Sequence, residues 1–150
     1  MVEPETNRIS PPAGWNPVGD IGGPFILHNG PIFHYGQTLP PEEPVRYGFR
    51  VEERHCNMRM VCHGGMLASF LDLCLARGAT SSLAIRIGAP TMNLSVDYLN
   101  PARLGDWVES RVTVLRRTRQ TAFVQALLLS GAHLLARGSA IYRLPKQEEA

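Results

Sequence analysis

The sequence predicts an α+β fold in which one antiparallel sheet is covered by a single long helix. Three observations carry that prediction. Residues 64–77, GGMLASFLDLCLAR, are apolar almost all round, and a helix that is hydrophobic on every side has to be buried. After residue 90, strand-like runs recur with short polar turns between them, the pattern of an antiparallel meander. The chain has 150 residues, of which 44% are apolar and 19% charged, which suits one domain with a sizeable core.

Taken in order, residues 1–24 contain PPAGWNP and IGGP and read as an irregular lead-in. Two short apolar runs, 25–28 and 32–35, flank Asn29, Gly30 and Pro31. Asn-Gly between such runs predicts a hairpin, with Pro31 limiting its pairing. Residues 36–44 hold three prolines and read as a linker. The expected organisation is therefore an irregular extension with a hairpin over 1–44 and the main domain over 45–150.

Residues 45–52 are expected to form the first strand of the main sheet. The helix should start at Gly64 or Gly65 and run for about fourteen residues, about 20 Å. A loop or further turn should follow through residue 90. Residues 91–99, TMNLSVDYL, alternate, with Met92, Leu94, Val96 and Tyr98 on one face, which predicts a half-buried strand. Asn100, Pro101, Gly105 and Asp106 mark a turn. The run 107–115 has Val108, Val112 and Val114 on one side. A polar turn is expected over 116–120, then strands over 122–129 and 134–144 about the turn at Ser130 and Gly131.

Composition also excludes function classes. A net charge of +2, with no basic run longer than Arg116 and Arg117, argues against nucleic acid as a partner. Fourteen arginines against the single Lys146 is a skew that suits fixed contacts to phosphate or carboxylate. Residues 1–10 have neither the basic start nor the apolar core of a signal peptide. No apolar run is long enough for a membrane-spanning helix, so no membrane partner is expected. Three cysteines, an odd number, do not suggest a disulfide framework. The expected setting is the reducing cytoplasm.

The chemistry concentrates in residues 55–77. The first N–H groups of a helix lack intrahelical acceptors and carry partial positive charge. At Gly64 and Gly65 no side chain blocks a ligand from those N–H groups, the physical recipe for an oxyanion hole. Equally, the glycines permit a tight turn beneath the sheet. Asp72 is the only charged side chain in the helix before Arg77. Burying a lone carboxylate is costly unless it has a partner or a task. Its functional role would be general base or nucleophile; the structural alternative is a carboxylate satisfied by local donors.

Spacing sharpens this. Gly65 and Asp72 are about 10 Å apart along a helix axis, too far for one Asp side chain to span. If both serve one reacting carbon, they come from two copies of the chain, which places the site at a dimer interface. His55, Cys56, Cys62 and His63 include zinc-ligand types, but C-x5-C lacks the usual spacing, so no metal is expected. A catalytic cysteine paired with histidine has nothing to orient it, and a buried lone cysteine usually acts as a small hydrophobe. Asn57, in the loop before the glycines, would hold a carbonyl or a water, or simply form the turn.

His55 and Asn57 (H-x-N), then His63, Gly64 and Gly65, then Asp72 on the helix together resemble the hotdog-fold thioesterases of the phenylacetate-degradation (PaaI-like) group. TMNLSVDYLNPA and Gly105-Asp106 extend the resemblance, which covers residues 45–144. It implies a hotdog fold, a helix wrapped by an antiparallel sheet, assembled as homodimers and often as dimers of dimers. It further implies hydrolysis of an acyl-coenzyme A substrate without metal or other cofactor. By position, Asp72 would activate water or attack the carbonyl. Gly64, with Gly65 beside it, would polarise the thioester oxygen. Asn57 would lie near the thioester, and Thr91 would assist the water.

His63 is expected near the substrate. Arg116, Arg117 and Arg119 are expected at the coenzyme A phosphates, although a solvated turn would account for them too. One departure stands out: Met60 occupies a place where the family commonly has Gly. Trp15, Phe25, Phe33 and Tyr35 lie outside the shared core and would either cap an acyl pocket or pack on the sheet. Two rivals share the fold, a non-catalytic acyl-CoA-binding or regulatory protein and a dehydratase. The dehydratase would need a catalytic His in a differently arranged motif.

Overall fold

The computed structural model describes residues 10–83 and 88–146; part of the loop expected before residue 90 lies outside them. The expected meander is present. β4 (Thr91–Tyr98), β5 (Trp107–Arg117), β6 (Thr121–Ser130) and β7 (His133–Arg143) pair antiparallel, and β3 (Tyr47–Arg50) joins them through β5. Two further strands extend the sheet, one absent from the sequence reading and one within the expected run 32–35. β1 (Trp15–Pro17) pairs with β2 (Phe33–Tyr35), and β2 pairs with β3. The sheet order is β1-β2-β3-β5-β6-β7-β4, seven strands among the described residues.

Around the helix α2 (Gly64–Ala79) the sheet buries Phe70, Leu71, Cys74 and Leu75 against Val108, Val124, Leu128 and Tyr142. The apolar run of β6 resolves into strict alternation. Ala122, Val124, Ala126 and Leu128 face the helix, while Phe123 and Leu127 face outward. Period two in the backbone imposes this whatever the composition.

Three expectations need correction. The 25–35 hairpin does not form, because residues 25–28 lie in a short helix, α1 (Gly23–Asn29). Pro24 opens its first turn, where a missing N–H costs nothing, and a proline there favours a helix over a strand. The polar turn is shorter than 116–120, since β5 runs through Arg117. In β4 only Leu94 and Val96 pack on the core; Met92 and Tyr98 are exposed. β4 is an edge strand, and an irregularity between Thr91 and Asn93 turns Met92 off the inner face.

Trp15, Phe33, Tyr35 and Trp107 form an aromatic cluster on the sheet. Phe25 is apart from them, 62% exposed on α1.

Candidate functional site

The start of α2 is finished by its own N-cap. His63 Nδ1 accepts the Gly65 N–H at 2.8 Å, and the His63 carbonyl accepts from Met66 at 2.9 Å and Leu67 at 3.2 Å. Of the first four helical N–H groups, Gly64 alone has no acceptor among the described residues. The two glycines are thus not equivalent. Gly65 is tied to His63, while Gly64 presents the helix dipole to whatever approaches. Gly64 also sits against the Tyr98 ring, whose atoms would lie 3.2 Å from any added Cβ, and Tyr98 O–H donates to the Gly64 carbonyl at 2.8 Å.

The preceding loop delivers the chain to that point. A 3-10 turn (Glu53–His55) is closed by His55, which is buried. His55 Nδ1 accepts from Glu52 N–H at 3.0 Å, so the ring proton is on Nε2, which donates to the Asn29 carbonyl at 2.7 Å. Burial, the largest influence, pushes the His55 pKa below its ordinary value. His55 therefore fastens the end of α1 to the loop; both ring nitrogens are occupied, and neither faces a metal.

Asn57 closes a turn. Its Oδ1 accepts from Arg59 N–H at 2.9 Å, and its carbonyl accepts from Met60 N–H at 2.9 Å, between the bridged Cys56 and Cys62. Met60 has φ +57°, in the left-handed region that favours glycine. That is the physical content of the departure at Met60: the turn keeps the backbone a glycine would adopt and bears the strain of a side chain. With Oδ1 holding the turn, the Nδ2 donor is the part of Asn57 with no partner among the described residues.

Asp72 is held from two sides. Thr91 Oγ1 and the Tyr142 hydroxyl each donate to Asp72 Oδ1 at 2.8 Å, leaving Oδ2 without a donor among the described residues. Tyr142 is fully buried, and burial followed by the neighbouring Asp72 drives its pKa upward, so it remains a donor. Sequence reasoning missed Tyr142. Its signal was a hydroxyl on the inward face of an apolar strand, where such a group needs a partner. Asp72 opens onto a cavity of about 270 Å³ shared with Ser69, Leu73, Thr91, Phe25 and Ile26. Ser69 Oγ is spent on the Gly65 carbonyl at 2.7 Å.

The arginines separate. Arg117 Nε donates to the Ala79 carbonyl at 2.9 Å, and its Nη2 to the Gly78 carbonyl at 2.7 Å and to Ser81 Oγ at 2.8 Å. It closes the far end of α2, about 22 Å from Gly64 by helix rise. Arg119 lines a cleft with Arg117 and Lys146 that is distinct from the cavity at Asp72. One chain does not bring Arg116, Arg117 and Arg119 together with Gly64 and Asp72. Gly64 and Asp72 are themselves eight residues apart on one helix, about 12 Å along its axis.

The thiols are not poised to attack. Burial pushes Cys62 and Cys74 up to about 12 and raises Cys56 as well, and the thiolate is the nucleophilic form. Among the described residues no three His, Cys, Asp or Glu side chains cluster as a metal site, and no helix is long and apolar enough to cross a membrane.

Comparison with known proteins fits this geometry. A Pseudomonas aeruginosa protein provisionally named an esterase is 29% identical over 130 residues, spanning 87% of this chain and 90% of its own. Human acyl-coenzyme A thioesterase 13 is 30% identical over 98 residues, 59% of this chain and 64% of that protein. Zebrafish thioesterase superfamily member 2 superposes with a TM-score of 0.66 at 25% identity, covering 76% of this chain and 81% of that one. The Escherichia coli PaaI protein of the phenylacetic acid degradation operon shares the fold, at a TM-score of 0.62 and 20% identity over 71% of this chain and 80% of its own. The fold is the hotdog fold, and the resemblance to the PaaI-like group stands. The thioesterase superfamily pattern matches residues 60–136, just over half the chain and the stretch that carries Gly64, Asp72 and Thr91, so this chain belongs to the thioesterase superfamily.

Proposed function

We propose that this protein hydrolyses an acyl-CoA thioester to the free acid and coenzyme A, in a site completed by two copies of the chain. The observation that carries the reading is the state of Asp72. One oxygen is anchored by Thr91 and Tyr142, and the other is free at a cavity. A carboxylate so held needs no reorganisation to act. The thioester oxygen accepts from the Gly64 N–H of one copy, with Asn57 Nδ2 as a second donor, while Asp72 of the other copy faces the carbonyl carbon.

Two routes share this geometry. As general base, Asp72 takes a proton from water as the water oxygen bonds to the acyl carbon, and coenzyme A leaves as thiolate. As nucleophile, Oδ2 bonds to the acyl carbon and expels coenzyme A as thiolate, and water then cleaves the resulting anhydride to free acid and the Asp72 carboxylate. Single turnover in oxygen-18 water separates them, since label enters Asp72 only by the second route. The open edge of β4 is where two sheets would join, and a dimer of dimers would follow from there. Of the three arginines, Arg116 and Arg119 have guanidinium groups to offer coenzyme A phosphates, whereas Arg117 is spent on α2. Three free thiols suit a reducing, cytoplasmic setting.

The test is Asp72→Asn, which keeps the shape and removes the base. Hydrolysis should fall by about 10²–10⁴-fold with the oligomer and thermal midpoint preserved. Undiminished turnover by pure variant would sink the reading. Acyl-CoA binding by the wild type without turnover across a panel of chain lengths would replace it with the non-catalytic binder.

A further inference from the structure

We propose that the acyl group this protein accepts carries a carboxylate at its far end, and that Arg77 is the residue that selects it. The inference rests on the reading above that the cavity beside Asp72 receives the acyl chain. That cavity follows α2 from Ser69 and Asp72 past Leu73 and Ala76, with Ile21, Phe25 and Ile26 of the amino-terminal segment as its outer wall. Its near end holds the reacting carboxylate, its middle is apolar, and its far end is formed by Arg77 and Thr80. A pocket for a plain alkyl chain would end in hydrocarbon. This one has the side chain of Arg77 in its lining, and Arg77 and Thr80 also line a neighbouring cavity of about 180 Å³ beside Tyr47.

Arg77 is also unspent. The four ion pairs among the described residues use Arg46, Arg54, Arg111 and Arg137. The one hydrogen bond Arg77 makes there is a long one, Nε to the Tyr47 hydroxyl at 3.4 Å. That contact steers the side chain along the buried Tyr47 and leaves both Nη groups, the fork that grips a carboxylate through two parallel bonds, without an acceptor among the described residues. Thr80 cannot take over the role, because its hydroxyl donates to the Ala76 carbonyl at 3.1 Å.

Spacing sets the length of the acyl group. Asp72 and Arg77 are five residues apart, about 7.5 Å of helix rise, which an extended chain covers in about six bonds at roughly 1.2 Å each. The ligand class is therefore a dicarboxylic acid of five to seven carbons, joined to coenzyme A through one carboxyl. The apolar wall of α1 would cover its methylenes.

The experiment compares matched pairs: glutaryl-, adipoyl- and pimeloyl-CoA against pentanoyl-, hexanoyl- and heptanoyl-CoA. Each is assayed for hydrolysis by the full chain, and each as its non-hydrolysable thioether for binding. The expected result is a kcat/KM at least tenfold higher for the carboxylated member of the best pair, with tighter binding of its thioether. Arg77→Met should remove that ratio, and Arg77→Lys, which keeps the charge but not the fork, should restore part of it. Equal or reversed preference in both assays overturns the inference and leaves thioester hydrolysis standing. Arg77-dependent preference in binding with no hydrolysis of any member upholds the inference and overturns the proposed reaction. A ratio that survives in a folded Arg77→Met protein assigns selection elsewhere and overturns the role of Arg77.

Discussion

The two ends of α2 are finished in opposite ways. At the carboxyl end, Arg117 bridges the Gly78 and Ala79 carbonyls, and Thr80 N–H returns to Ala76 at 3.1 Å. At the amino end, His63 takes the Gly65 N–H and its carbonyl serves the next two, yet Gly64 is left open. Helix ends normally find partners for their polar groups. At the carboxyl end side chains from outside the helix cover the Gly78 and Ala79 carbonyls, whereas the amino end keeps a donor at Gly64 that a ligand could use. The loops leading to each end differ too, since the amino-terminal one bears a left-handed methionine and a buried histidine.

Deleting the open donor should have the largest effect. Gly64→Pro removes only that N–H, because proline suits the first helical position and His63, at φ −60° and ψ 136°, already has the conformation a residue before proline prefers. Tyr98, 54% exposed, can yield to the added ring. The rate should drop by about 10²–10³-fold, as for loss of one oxyanion donor. If kcat is unchanged in folded variant, the open end has no catalytic role and the contrast fails.

At the closed end the same kind of deletion should cost stability instead. Arg117→Met strands the Ala79 carbonyl and takes one of three donors from the Gly78 carbonyl, and it should lower unfolding free energy by about 1.5–3 kcal/mol in denaturant titration. The rate per folded molecule should hold. A fall in kcat would mean that the far end also serves the reaction.

The histidine in the amino-terminal loop gives a pH signature. The folded state disfavours the His55 proton, whereas the unfolded chain binds it at the ordinary value of about 6.5. Acidification below that value therefore stabilises the unfolded state, and stability falls by up to about 1.4 kcal/mol per pH unit until the depressed folded value is passed. His55→Gln should flatten the curve relative to wild type between pH 7 and 5. Parallel curves would show that His55 is not the group responsible.

The smallest expected change is a gain. Met60→Gly relieves left-handed strain and should stabilise by about 1 kcal/mol, with hydrolysis within about twofold because the turn around Asn57 is unchanged. A large change in rate would show that the Met60 side chain, 43% exposed beside the site, touches the ligand.

By itself the sequence determined the elements whose patterns are local and unopposed. An all-apolar stretch with one carboxylate became α2, alternation marked β4 and β5, and short turns bounded the apolar runs of β6 and β7. The helix rise likewise set the separation of Gly64 from Asp72, on which the proposal of a site shared by two copies rests. Elements that depend on distant partners were beyond it. Residues 25–28 look like a strand but follow a proline that opens a helix, and β1 is a three-residue strand recognisable only by what it pairs with. The tertiary structure alone decided which glycine keeps its N–H, since that turns on the rotamer of His63. It alone brought Tyr142, seventy residues away in sequence, to the same oxygen of Asp72 that Thr91 holds. It also spent Arg117 on a helix end while leaving Arg77 with one long hydrogen bond among the described residues, because an arginine's role is set by which acceptors the fold brings within reach, and no spacing in the chain records that.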